Sequence, residues 1–104
     1  MANVSIAHLL DPANTVIATF AVAGSVGATG IKRGILYRVV SDIDVYITYG
    51  VAGAVNTGIY LPAKTIDYMV FGMDDSQGTD ITVNVYGGAA GHCFFTPAFG
   101  MVTR

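Results

Sequence analysis

The chain has no tryptophan and no glutamate, and it has one cysteine and three prolines in 104 residues. A single thiol, Cys93, excludes an internal disulfide and fits folding in a reducing compartment. Without glutamate, the acidic complement is seven aspartates, a residue type that favours turns over helices. Paired-carboxylate chemistry would then rest on neighbours such as Asp42 and Asp44, which read as a turn residue and a strand-face residue. Charged residues are scarce, 12% of the chain with a net charge of −2, about half the usual charged share. That leaves no basic footprint for nucleic acid. Long apolar runs are missing as well. The uncharged stretches 12–31 and 81–103 approach the length of a bilayer span, but Asn14, Thr15, Thr19, Ser25, Asn84, His92, Pro97 and several glycines interrupt them, so no membrane association is expected. The opening residues lack the charged start and apolar run of a secretion signal, and synthesis in a cytoplasm is expected.

What the chain does have is apolar residues, 53% of the total, arranged with strand periodicity. In 43–49, Ile43, Val45, Ile47 and Tyr49 fall on one face, and Asp44, Tyr46 and Thr48 on the other. Similar alternation predicts strands at 35–40, 66–71 and 81–86, with shorter ones at 5–10, 15–22, 59–61, 92–95 and 99–102. Turn-forming clusters separate them: Ser41-Asp42, Asn56-Thr57-Gly58, the 74–78 segment and Gly87-Gly88. The glycine-rich 23–30 segment reads as a loop or arm joint. No window reads as a long amphipathic helix. Short strands between regular turns predict an all-β, single-domain antiparallel β-sandwich over 1–104, for which a jelly-roll is one arrangement. Its core is expected to contain Ile43, Val45, Ile47, Val83 and Val85. Residues 1–12, with apolar Val4, Ile6, Leu9 and Leu10 ahead of Asp11-Pro12, read equally as an arm that docks on a neighbour or as a first strand of the chain's own sheet.

No catalytic constellation emerges. Ser25 lies one glycine short of a nucleophile elbow and lacks the strand-to-helix context which that motif needs. Gly24, Gly27 and Gly30 do not match a phosphate-loop spacing. Asp74, Asp75, Gln77 and Asp80 form an acidic loop without an EF-hand spacing, and it reads as a solvated hairpin. Adjacent His92 and Cys93 would point to opposite faces of a strand, so a shared metal is not expected. No cofactor is expected, nor any metal. The tyrosines Tyr46, Tyr60, Tyr68 and Tyr86 are candidates for a sugar platform or for ordinary cross-strand packing. Alternation sends Phe94 and Phe95 to opposite faces, so at least one lies outside the core. Together with Phe99 and Met101 they are the C-terminal interface candidates, as Val4, Ile6, Leu9 and Leu10 are the N-terminal ones.

The segments 37–50, Tyr60-Leu61-Pro62-Ala63, 81–87 and 91–97 resemble small virion structural proteins of tailed bacteriophages. The resemblance covers roughly residues 35–97. It implies a non-enzymatic capsid decoration or cement protein, located in the virion, whose partner is the major capsid protein or another virion protein. It also implies a homo-oligomer, trimeric by preference. The alternative is a carbohydrate-binding or host-attachment module associated with the tail.

Overall fold

The computed structural model describes residues 10–49, 58–72 and 79–98. Eight strands are defined within them: β1 (Val16–Phe20), β2 (Gly24–Lys32), β3 (Leu36–Ser41), β4 (Val45–Tyr49), β5 (Ile59–Leu61), β6 (Ile66–Val70), β7 (Asp80–Gly87) and β8 (Gly91–Pro97). They form two four-stranded sheets, ordered β1-β8-β3-β6 and β2-β7-β4-β5, with every pairing antiparallel. The expected all-β sandwich is therefore the architecture of the described residues. Its pairings are nested: β1 with β8, β2 with β7, β3 with β6 and β4 with β5. A single long hairpin rolled into two layers gives this order, which is the jelly-roll topology.

Strand alternation sorts the side chains. Ala18 and Phe20 of β1, Tyr37 and Val39 of β3, Met69 of β6, and Cys93 and Phe95 of β8 point inward from the first sheet. Facing them are Ala28 and Ile31 of β2, Val45 and Ile47 of β4, Leu61 of β5, and Ile81, Val83 and Val85 of β7. Phe71 packs edge-on to Phe95, with ring centroids 6.1 Å apart, and closes one end. Ser41 is also enclosed, and its hydroxyl donates to the His92 carbonyl (3.1 Å) and accepts from the Ile43 N–H (3.2 Å), so burial leaves it satisfied.

The 23–30 segment is a strand, which corrects its expected role as a loop. Most of it belongs to β2, paired with β7 from Gly24↔Gly87 to Ala28↔Val83. Its small residues are tolerated because β2 is an edge strand whose partner supplies Ile81, Val83 and Val85. A register shift between Ala28 and Ile31, with Gly30 at φ +83°, lets two residues three apart both face the core. Ile43 is packed against the core from the turn before β4 rather than from within a strand. Residues 10–12 of the expected arm are held by their own sheet: Leu10 bridges Ala98, and the Asp11 N–H donates to the Pro97 carbonyl at 2.8 Å. The remainder of that arm, 1–9, and the 99–102 strand lie outside the described residues.

Truncating the inward phenylalanine should cost far more than truncating the outward one. Phe95→Ala should lower unfolding free energy by about 3–5 kcal/mol, and Phe94→Ala by about 1 kcal/mol or less, as measured by urea denaturation.

Candidate functional site

The two outward sheet faces carry different chemistries. On the first sheet, register places Ile17 of β1 beside Phe94 of β8, Phe94 beside Val40 of β3, and Val40 beside Ile66 of β6. The result is one apolar row across all four strands, with Ile17 50% and Ile66 48% exposed. Leu36 and Val70 pair in a flanking row. Between these rows lie Thr96, Arg38 and Tyr68, also in register. Antiparallel sandwiches ordinarily turn polar side chains outward. Here Arg38 is half-buried between the two apolar rows and has no ion-pair or hydrogen-bond partner among the described residues.

On the second sheet the outward row is Ser25, Tyr86, Tyr46 and Tyr60, again in register across β2, β7, β4 and β5. The rings of Tyr46 and Tyr60 are 5.2 Å apart at 36°. Partial burial, then the charge and hydrogen bond of Asp44, raise the pKa of Tyr60 above its ordinary value. Asp44 is anchored from the other side by the Ala63 N–H, which donates to its Oδ1 at 2.7 Å. Next to this row lies a depression of about 380 Å³ lined by Ile43, Asp44, Gly88 and Ala89.

A third feature is a half-open cavity of about 450 Å³ at the sandwich corner, walled by Val16, Ile35 and Pro97. The Tyr37 hydroxyl at this cavity accepts the Lys32 N–H at 2.7 Å, and burial raises its pKa, so the phenol is neutral at pH 7. Lys32 itself pairs with Asp80 across β2 and β7.

Ser41, Asp42 and His92 bring a hydroxyl, a carboxylate and an imidazole together, but not as a hydrolytic triad. The serine hydroxyl donates to the His92 carbonyl, not to its ring. Asp42 accepts the His92 N–H at 2.7 Å and sits 3.3 Å from Nδ1, which ties the start of β8 to the β3–β4 turn. That backbone hydrogen bond is the main cause of Asp42's lowered pKa. Ser25 stands on a strand with no helix after it. Among the described residues no group of three or more His, Cys, Asp or Glu side chains converges. Asp74, Asp75 and Gln77 lie outside those residues.

Of the interface candidates, Phe94 lies on the outward face, whereas Phe95 is fully enclosed and cannot present a contact surface. Alternation leaves one of the pair inward, and the pairing with Val16 and Val39 makes it Phe95. Leu10 is half-buried against its own sheet. Val4, Ile6, Leu9, Phe99 and Met101 lie outside the described residues. The tyrosine platform divides: Tyr46, Tyr60 and Tyr86 share one row, and Tyr68 stands on the opposite sheet. Arg38 and the apolar row around it were not singled out by sequence. Their signal was adjacent apolar pairs, Val16-Ile17, Val39-Val40 and Phe94-Phe95, which make a strand apolar on both faces.

No family model, curated protein or solved structure matches the chain.

Two measurements check this account. Burial pushes the Cys93 thiol up to about 12, so Cys93 should not react with a thiol reagent at pH 8 until the protein unfolds. Asp42 has a folded pKa below 3.8, so its contribution to stability is present above that value and lost as pH falls through the lowered one. Asp42→Asn should therefore destabilise at pH 7, by a small amount because the pair is solvated, and the difference from the parent protein should shrink below pH 3.8 in thermal melts.

Proposed function

We propose that this protein is a non-enzymatic virion structural protein, a capsid decoration or cement protein that works by docking on major capsid subunits. The observation that carries this reading is the apolar row Ile17, Phe94, Val40 and Ile66 on the outward face of β1-β8-β3-β6, with Arg38 beside it and without a charge partner among the described residues. A contiguous apolar sheet face with an exposed rim is a protein-docking surface, and jelly-rolls recur among viral capsid domains. The topology adds weight only as an analogy.

Charge selects the occupant. A second copy laid face to face about a two-fold axis through this surface would bring Arg38 against Arg38 in a poorly solvated contact. A different chain that offers an apolar surface and one carboxylate satisfies both the row and the guanidinium, with a charge-assisted bidentate hydrogen bond. Four strands of about five residues make a patch roughly 15 Å on a side. That is the anchoring centre of a standard interface, with the remainder supplied by the rims. A homo-oligomer, a trimer by the resemblance, would form through other surfaces and multiply this contact by presenting several copies at once.

Co-sedimentation of the purified chain with shells assembled without it tests the reading. The parent protein should pellet with the shells. Ile66→Asp and Arg38→Glu should each weaken binding at least about 30-fold, the size of a hot-spot loss, with unchanged circular dichroism and solution mass. Failure of the parent protein to bind, or full binding by both variants, overturns the proposal.

A further inference from the structure

We propose that the outward face of the second sheet is a carbohydrate-binding site, in which a hydroxyl-rich sugar ring seats against the Tyr60 end of the tyrosine row and hydrogen-bonds the Asp44 carboxylate. This site is independent of the docking face assigned above, since it occupies the other layer of the sandwich.

Three observations converge on it. First, register aligns Tyr86, Tyr46 and Tyr60 in one row that ends at an edge strand, where the Tyr46 and Tyr60 rings touch and Tyr60 is 49% exposed. Tyrosine combines an apolar ring face, which packs on the C–H face of a sugar, with a hydroxyl that exchanges hydrogen bonds with the sugar's own. Second, the depression beside the strip is lined by Gly88, where a Cβ would meet nothing within 4 Å, so a longer side chain at this position can occupy it. Third, Asp44 stands at that depression already oriented, its Oδ1 held by the Ala63 N–H at 2.7 Å. An ionised carboxylate has about four lone-pair sites, so this bond leaves it able to accept from vicinal hydroxyls.

The same residue types also occur in aromatic cages for quaternary ammonium groups. Here the Tyr46 and Tyr60 rings lie 5.2 Å apart, in contact with each other, which leaves no room for a trimethylammonium group between them. The ligand class that fits is therefore a neutral polyol ring, presented on a cell surface or a glycan chain.

A printed array of neutral oligosaccharides, followed by titration calorimetry with the strongest ligand, tests the inference. Saturable binding is expected, with amide shifts in β4, β5 and β7. Tyr60→Ala and Asp44→Asn should each weaken it roughly tenfold or more. Gly88→Gln, which fills the depression at a position without a positive φ, should abolish it while leaving the melting temperature close to that of the parent. Ile66→Asp, on the other sheet, should leave affinity unchanged, so loss of shell binding and loss of sugar binding are separable. The inference is overturned if no glycan on the array binds, if binding survives both Gly88→Gln and Asp44→Asn, or if choline competes for the site.

Discussion

Everything in this molecule hangs on the dry contact between its central strand pairs, β3 and β8 in one layer and β4 and β7 in the other. Val39, Cys93 and Phe95 face Val45, Ile47, Val83 and Val85, and none of these side chains is more than 1% exposed. The edge strands each add a large anchor to it, Phe20 from β1, Ile31 from β2, Leu61 from β5 and Met69 from β6, with alanines and glycines filling much of the rest of β2. Each outward row inherits its alignment from this core, because a side chain's face is fixed by its neighbour's burial. Phe94 can point outward only because Phe95 fills the interior. Tyr46 and Tyr86 stand side by side because Val45 and Val85 are locked below them.

The strands whose apolar and polar residues alternate were legible in the sequence. Residues 81–86 read as a strand and lie within β7, and 59–61 matches β5 residue for residue. The 23–30 segment was not legible, because glycine and alanine carry no periodic signal and the strand character of β2 comes from its partner. The bulge at Thr29–Gly30 obscured it further by putting Ala28 and Ile31 on the same side. Of the candidate surfaces, the tyrosines were visible as a set, but the division of three from Tyr68 depends on which sheet each strand joins. That is a fact of topology. Arg38 was not singled out, and only the register of β3 with β6 and β8 places it between two apolar rows.

A low charge content has an architectural meaning here. With 12% charged residues, several of the described ionic groups serve local tasks: Lys32 with Asp80 clamps an edge strand, Asp42 ties a turn to β8, and Asp44 anchors Ala63. The sheet faces are left largely to apolar and aromatic side chains, which give the two layers separable recognition chemistries: an apolar row flanked by Arg38 on one, a tyrosine row flanked by Asp44 on the other. Because the layers share a core but no outward residues, substitutions on one face should be tolerated by the other.

The nested pairing also governs the order in which the molecule can come into being. β4 and β5 are neighbours in sequence, but β3 must wait for β6, β2 for β7, and β1 for β8, so each successive ring closes a longer loop at a higher entropic cost. A topology dominated by such distant contacts is expected to fold slowly, and its outermost seam, Val16 to Phe20 against Gly91 to Phe95, has the longest loop to close. That seam carries both Ile17 and Phe94. The apolar row is thus completed only when the whole chain has folded, so a nascent or half-formed chain offers no finished adhesive surface, and recognition is gated by the completion of folding itself.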